Sequence, residues 1–359
     1  TTYDPYKVTV SAKQLIYDFG LTDSRIKNAK TISTKELREN SLQKQNLLLA
    51  SIEAQLELIK ANILLTNSQK SEENIKEQTR LENARLEMGK GYSTDVLQSK
   101  ASLLGAEANR ISAKGQKVIS EYRYKAVFID ETPNIEQLIA FKTPQKLLPN
   151  SLEEMETQVR LNNPDIIAAK ARAHVANTEK EVVKKEQYSP TIDADISKSI
   201  SDEYDGVDGS RNDTKASINL LWKFNTGLKS LDDINAANYA YLSAKEKSLY
   251  VEVQAIENAR KVWSSYETSK SKTKYLQNQI EIQKQFLSLA KQEREIGRRS
   301  LIDILNGESA LLRAKAEYAA SKIDEVLNSY RILRSIGKLN LELFKSDELY
   351  VEQNKLFIK

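Results

Sequence analysis

The 359-residue sequence has no cysteine and only one histidine. Without cysteine the chain forms no disulfide, offers no thiol nucleophile and binds no metal through thiolates. The histidine, His174, lies in ARAHVANTEK without a second histidine or an acidic residue at metal-ligand spacing. A G-x-S-x-G turn, a phosphate-binding Gly-rich loop and paired catalytic acids are also missing. We therefore expect no enzyme activity, no cofactor and no metal site.

The sequence also lacks long apolar runs and an excess of one charge. No apolar run approaches the roughly 20 residues of a transmembrane helix, so membrane contact would have to come from short strands or a helix surface. The 54 Lys and Arg residues nearly balance 50 Asp and Glu, and the signs alternate along the chain, which argues against nucleic-acid binding. The chain opens TTYDPYKV without a leader, so we expect a mature or trimmed chain.

Proline is scarce, and the stretches between the six prolines are free to form long helices. A coiled-coil seam with spacings of 3, 4, 3 and 4 is formed by Leu49, Ile52, Leu56, Ile59 and Ile63. Helices are predicted over about Thr22–Met88, Tyr92–Phe128, Leu152–Tyr188, Leu228–Ile296 and Leu301–Gly337. The fold class is therefore mainly α with a small β part.

Three segments alternate apolar and polar residues with a period of two, as strands with two different faces do. They are Lys7–Phe19, Ile192–Ile200 and Lys215–Phe224. The polar, Gly-containing stretch Ser201–Asp213 predicts an exposed loop between the last two strands. Strands of about ten residues with one apolar and one polar face are typical of outer-membrane barrels.

The sequence repeats itself. EMGKGYSTDVLQSKASLLGAEA from Glu87 is echoed by EIGRRSLIDILNGESALLRAKA from Glu295, and IYDFGL matches KFNTGL at nearly the same offset. We expect a first repeat over 1–150 (strand, long helix, tip turn, short helix, linker) and a second over 151–338 (short helix, β-hairpin, long helix, tip turn, short helix). Residues 339–359 form a C-terminal segment. The first repeat has no counterpart of the second repeat's first helix and strand, which we expect to be missing.

Three or four strands cannot close a barrel, and an open sheet edge in lipid leaves unpaired backbone groups that cost several kcal/mol each. Closure would have to come from other subunits. Four strands in each complete chain and three chains would give about twelve strands, within the range of known barrels.

The paired turns, each a Gly, five residues, an Asp and then Val/Ile-Leu, make the chain resemble the TolC-type outer-membrane efflux protein family. The resemblance implies a homotrimer with a twelve-stranded transmembrane barrel in outer-membrane lipid and an α-helical tunnel of antiparallel coiled coils in the periplasm. It implies a passive exit duct of a tripartite export system, with a periplasmic adaptor and an inner-membrane pump of the RND or ABC type as partners. The Pro133–Pro149 linker and Leu339–Lys359 would form an equatorial belt.

The residues matched between the two turns are candidates for turn formation or for adaptor contact: Gly89, Asp95, Leu97, Gly297, Asp303 and Leu305. Glycine supplies the positive φ after a helix, and Thr94 or Ser300 can cap the next helix. The alternative is that all six serve only capping and packing.

Two further sets are candidate site residues. Three copies of Asp303 around a symmetry axis would form an acidic ring, with Asp95, Arg298 and Arg299 as partners of a closed gate, or these are surface charges without a role. At the strand–helix junctions, Tyr17, Phe19, Trp222 and Phe224 form either an interfacial aromatic girdle or ordinary packing.

Two rival functions follow from the same patterns. A cytosolic coiled-coil scaffold would explain the heptads but not the two-faced strands. An adaptor with a helical hairpin would need an all-β domain, for which no run of strands is seen. Drug efflux and type I secretion of polypeptides use the same kind of duct, and the sequence does not choose between them.

Overall fold

A computed structural model of the chain describes residues 5–129, 134, 138–206, 208–223, 227–345 and 349–352. The chain divides into two compact units, unit 1 (Thr1–Asn40 and Asp165–Val253) and unit 2 (Ser41–Pro164 and Gln254–Lys359). The helices and strands in chain order are β1 (Tyr6–Tyr17), α1 (Leu21–Glu87), α2 (Ser93–Val127), β2 (Ile139–Phe141), α3 (Leu152–Asn162), α4 (Pro164–Tyr188), β3 (Thr191–Asp202), β4 (Ser210–Leu221), α5 (Lys229–Glu295), α6 (Leu301–Ser335) and β5 (Tyr350–Glu352).

The helices account for most of the fold, as the sequence predicts. α1 and α5 have 67 residues each, and α2 and α6 have 35 each. The predicted seam of α1 is a core in unit 2, where Ile52, Leu56 and Ile59 are fully buried. Among the described residues, no helix has a stretch both long and apolar enough to cross a membrane.

The predicted helix over Leu152–Tyr188 is wrong in one respect, because the structure has two helices there. Pro164 has no amide hydrogen and disfavours helical backbone in the residue before it. Asn163 accordingly adopts an extended conformation (φ −62°, ψ 126°) between α3 and α4. Its side-chain amide donates a hydrogen bond to the carbonyl oxygen of Ser335 at 2.9 Å, which ties the break in unit 2 to the end of α6.

Unit 1 contains a three-stranded antiparallel sheet in the order β1-β3-β4. The register places Ala12, Ile196 and Ala216 side by side on one face, and Ser11, Ser197 and Lys215 on the other. On the polar face, Lys13 and Asp193 form an ion pair at 3.3 Å. The two-faced strands of the prediction are therefore present, and the apolar face is largely exposed.

The strand ends differ from the prediction. β3 and β4 remain paired from Thr191–Leu221 to Asp202–Ser210, so the connection is residues 203–209, shorter than the predicted loop Ser201–Asp213. The ladder joins backbone groups and therefore continues through polar side chains. β1 ends at Tyr17, because the chain turns at Phe19, which has a positive φ of 55°.

In unit 2 the linker after α2 and the C-terminal segment meet in a two-stranded sheet, with Ile139 opposite Glu352. Beside it, the Phe141, Tyr330 and Phe344 rings contact one another with centroids 5.8–5.9 Å apart. Tyr330 is fully buried, and its hydroxyl donates to the carbonyl oxygen of Lys142 at 3.0 Å. These contacts hold the sheet against α6.

Candidate functional site at the two interhelical turns

The turns between α1 and α2 and between α5 and α6 have the same backbone geometry. Gly89 and Gly297 adopt φ values of +70° and +77° just after the helices end. The amide of Gly89 donates to the carbonyl of Leu86 at 2.9 Å, and that of Lys90 to Arg85 at 2.9 Å. The second turn repeats this pair of bonds at 3.0 and 2.8 Å. This is the Schellman arrangement that satisfies the last helical carbonyls, and glycine adopts its left-handed residue without strain.

The helix starts after the turns are capped differently. Ser300 is the N-cap of α6, and its hydroxyl accepts a hydrogen bond from the amide of Asp303 at 3.3 Å. The N-cap of α2 is Tyr92, which makes no side-chain capping bond, and Thr94 lies inside the first turn. The expectation that Ser300 caps a helix is therefore confirmed, whereas Thr94 lies too far along the chain to serve as the cap. Asp95 and Asp303 occupy the first turns, where the helix dipole favours a negative charge.

Arg294, in the last turn of α5, links the two hairpins within unit 2. Its Nη2 lies 3.1 Å from Oε2 of Glu82 and 3.0 Å from Oδ2 of Asp95, and its Nη1 donates to the carbonyl oxygen of Arg299 at 3.2 Å. The Glu82 side chain is 2% exposed and that of Arg294 18%. Arg85 approaches the other Glu82 oxygen at 3.5 Å. A largely buried arginine thus joins a carboxylate of α1 to one of α2.

The sequence analysis missed Arg294, although the duplication carries a signal for it. With the offset that matches Gly89 to Gly297, Arg294 corresponds to Leu86, and its partner Glu82 corresponds to Ala290. Charged residues in one copy where the other copy has apolar ones mark a position whose contacts differ between the repeats.

Asp303 belongs to a second ion-pair group. Arg299 Nε donates to Glu293 at 2.8 Å, and its Nη1 lies 3.8 Å from Asp303. The guanidinium also lies over the Phe286 ring, 5.8 Å from its centroid. Within the described ranges Arg298 forms no ion pair. The predicted gate residues therefore fall into two groups, Asp95 with Arg294 and Asp303 with Arg299.

Leu97 and Leu305, which match in the repeat, have different surroundings. Leu305 is 4% exposed and packs with Leu301, Ile75 and Ala106 in a core between α6, α1 and α2. Leu97 is 67% exposed. Packing within the chain therefore explains Leu305 but not Leu97.

Close to the turn between α5 and α6, a buried carboxylate joins three helices of unit 2. Glu308 of α6 is buried, receives an ion pair from Lys291 of α5 at 2.8 Å and accepts from the Asn74 amide of α1 at 3.2–3.3 Å. Buried charges are stable only when paired in this way. The contact keeps the three helices in register near the turns.

In unit 1, the junction aromatics lie where β1 and β4 end. The Tyr17 and Phe19 rings contact each other with centroids 4.7 Å apart, and both rings and Trp222 are largely exposed. Phe224 lies outside the described residues. The assignment of these aromatic residues to an interfacial girdle or to packing between strands and helices stays a prediction.

Asp18, between Tyr17 and Phe19, caps the start of α1. It accepts from the amides of Gly20 at 3.1 Å and Thr22 at 2.7 Å. Burial raises the pKa of this carboxyl, but the hydrogen bonds from Thr22, Gly20 and Leu21 outweigh burial and hold the pKa below its ordinary value of 3.8. The charged form is therefore favoured by the fold.

Comparison with known proteins agrees with this architecture. A model of the outer membrane efflux protein family matches residues 1–126 and 157–338. The outer membrane efflux protein BepC of Brucella suis is 22% identical over 336 residues, which are 93% of this chain and 73% of BepC. The outer membrane protein TolC of Escherichia coli is 20% identical over 312 residues, 82% of this chain and 62% of TolC. The chain thus spans less than two thirds of TolC.

The fold is also that of solved channels. The CmeC outer membrane channel of Campylobacter jejuni superposes with a TM-score of 0.79 at 14% identity, over 94% of this chain and 78% of CmeC. The family consists of efflux ducts and not of enzymes. The alternative of a cytosolic coiled-coil scaffold is excluded, because members of this family lie in the outer membrane and not in the cytosol. The expected location in the bacterial outer membrane, with the helical part in the periplasm, is confirmed, and the chain belongs to the outer membrane efflux protein family.

Proposed function

We propose that the chain is one subunit of a homotrimeric, passive exit duct with a twelve-stranded barrel and no catalytic activity. The observation that carries the proposal is the sheet of unit 1, which exposes one apolar face and, among the described residues, ends in two unpaired edges, β1 and β4. The apolar face is unfavourable in water but suits contact with lipid, whereas the open edges leave unpaired backbone groups in lipid unless strands of other subunits continue the sheet. One further strand per chain completes the twelve.

The helices of unit 2 support association between copies. Exposed apolar side chains recur every seven residues on α2, as Leu97, Leu104 and Ile111, and on α5, as Tyr275, Ile282 and Leu289. Residues seven apart lie on one face of a coiled-coil helix. Within the chain α6 already packs against α1 and α2. The exposed stripes of α2 and α5 are separate from that core, and packing α2 of one copy along α5 of the next would cover both stripes and close a ring.

The equal lengths of α1 and α5 and of α2 and α6 support the proposal of two structural repeats, 1–150 and 151–338. All four helix starts and ends keep the same offset in the sequence. The proposed duct then has two helical hairpins from each subunit, and their turns lie at the same end of unit 2.

We propose that these turns form the closed entrance and the adaptor contact. The Arg294 group joins the two hairpins of a subunit through Glu82 and Asp95, whereas the Arg299 group joins Glu293 to Asp303 within the second hairpin. Opening requires the hairpins to separate, which breaks the ion pairs of Arg294. Exposed Leu97 and Arg298 are available for another subunit or an adaptor, with an inner-membrane pump supplying the energy for drugs, small molecules or polypeptides.

Single-particle imaging of the full-length protein in detergent tests the oligomer. A three-fold symmetric particle that requires detergent supports the duct, whereas a monomer that stays soluble without detergent refutes it.

Conductance in planar bilayers tests the gate. We expect Arg299→Ala and Asp303→Ala channels to open more often and to change their cation selectivity. The matched control is Lys261→Ala, which removes an exposed charge near the middle of α5, far from the turn. Unchanged conductance in both variants contradicts the gate but leaves the trimer standing.

A further inference from the structure

A pocket of about 410 Å³ lies between α1, α5 and α6 in unit 2. Cationic and amide groups line much of it, including Lys284 and Lys315 and the side-chain amides of Asn67 and Asn278. Lys70 lies close enough to Lys315 to act on its charge. A pocket of this composition offers several N–H donors to one guest.

Lys315 is the central group. It is half-buried, and within the part of the chain that the structure describes it has no hydrogen bond or ion pair. Burial is the largest effect that lowers the pKa of Lys315, and the positive charges of Lys70 and Lys284 lower it further. The negative charge of Glu308 has a smaller, opposite effect. The fold therefore holds an ammonium group beside two others without a counter-charge of its own.

The acidic groups nearby do not neutralise this lysine. Glu281 lines the pocket but lies 3.9 Å from Lys284, on the same face of α5. Glu308 is already engaged by Lys291 at 2.8 Å and by Asn74. Glu281 is thus paired with Lys284 and Glu308 with Lys291, so neither carboxylate pairs with Lys315, and a bound anion would supply the negative charge that Lys315 lacks.

Tyr318 adds a neutral donor. Burial and the charge of Glu325 raise the pKa of its hydroxyl, so the hydroxyl keeps its proton throughout the neutral and mildly alkaline range. Tyr318 also lines the pocket. An anion with several oxygens could thus accept from the ammonium group, the amides and the phenol at once, whereas chloride could use few of these donors together.

We propose that this pocket binds an oxyanion, either a free phosphate-type ion or a carboxylate of an acidic peptide, with Lys315 as its principal contact. The proposal concerns binding alone and does not depend on channel activity. The oxyanion accepts hydrogen bonds from Lys315, and Lys284 and Lys70 supply the surrounding positive charge.

Acetylation by acetic anhydride at pH 8, read for each lysine by mass spectrometry, tests the site in the intact detergent-purified protein. Only a neutral amine reacts, so a bound oxyanion should slow the labelling of Lys315 by covering it and raising its pKa. We expect at least about threefold slower labelling in sodium phosphate or triglutamate than in sodium chloride of equal ionic strength. Lys261, an exposed lysine paired with Glu257 at 2.6 Å, is the internal control and should be unaffected.

The two probes distinguish the sources. Protection by phosphate identifies a free anion, and protection by triglutamate alone identifies a peptide carboxylate. The Lys284→Gln and Lys70→Gln variants, which alter exposed residues, should weaken the protection, whereas Lys261→Gln should not. Labelling of Lys315 at the same rate in all three solutions overturns the proposal, and so does protection that both lysine variants leave intact.

Discussion

Replacing Arg294 with glutamine tests whether the interhelical turns are held by a buried ion-pair group. The change removes the guanidinium that contacts Glu82 at 3.1 Å and Asp95 at 3.0 Å, and it leaves a Glu82 side chain that is 2% exposed. Removing one partner of a buried pair costs about 3–5 kcal/mol. Arg85 still approaches Glu82 at 3.5 Å, and the partly exposed Asp95 regains water, so we expect a smaller loss of about 2–4 kcal/mol in local stability.

Hydrogen–deuterium exchange of the intact protein, resolved by peptides around the two turns, measures this loss. A loss of about 2–4 kcal/mol corresponds to an increase in exchange of about 30-fold to several hundredfold. Arg298→Gln, which alters an exposed neighbour without an ion pair among the described residues, should change exchange by less than about threefold.

A double variant separates the ion pair from other effects of Arg294. Arg294→Gln combined with Glu82→Gln removes both charges, and we expect it to recover part of the lost protection, because no buried carboxylate is left unpaired. The reasoning is refuted if Arg294→Gln behaves like Arg298→Gln, or if the double variant exchanges as fast as the sum of the single changes requires.

Three further predictions concern backbone strain, packing and pH. Gly337→Ala should destabilise by about 3 kcal/mol or more in thermal unfolding, because its new Cβ would lie 2.2 Å from a carbonyl oxygen at the end of α3; Gly89→Ala, with a similar φ and open space, should cost only about 1–2 kcal/mol. Leu305→Ala should cost about 2–5 kcal/mol, whereas Leu97→Ala should leave the subunit fold intact and reduce the trimer fraction after chemical cross-linking. Because the folded-state pKa of Asp18 is depressed, the stabilisation of the helix start by its charged form is present at neutral pH and is lost as pH falls below about 4 through that pKa. The hydrogen-exchange protection factors at the start of α1 should therefore fall in acid for the wild type but not for Asp18→Asn.

Periodicity and the scarcity of proline were sufficient to predict most elements. The heptad seam around Ile52, Leu56 and Ile59 defines a buried face that only one helical register satisfies, and alternation defines both faces of β3 in the same way. The pattern of apolar and polar side chains did not predict the helix break or the strand ends, because backbone hydrogen bonding determines both. Pro164 interrupts a stretch whose composition is helical throughout, and the β3–β4 ladder continues through polar residues.

The site was predicted only in part, since its contacts join residues far apart in the chain. Gly89 and Gly297 are recognisable because a left-handed turn leaves a local trace. Arg294 pairs with carboxylates that precede it by about 200 residues, and nothing local distinguishes it from Arg260, the exposed arginine of the same helix. The different burial of Leu97 and Leu305 likewise depends on tertiary packing, so identical residues in a repeat do not imply identical roles.

The short β2–β5 sheet restricts the order in which the chain can be completed. Its strands, Ile139–Phe141 and Tyr350–Glu352, lie near the middle and near the end of the sequence. During synthesis and secretion the first strand therefore waits for its partner until α3 to α6, which lie between the two strands, have been released, and closing so long a loop is entropically costly. A nonsense mutation that stops the chain just before Tyr350 would leave every long helix encoded, yet β2 would never acquire its partner.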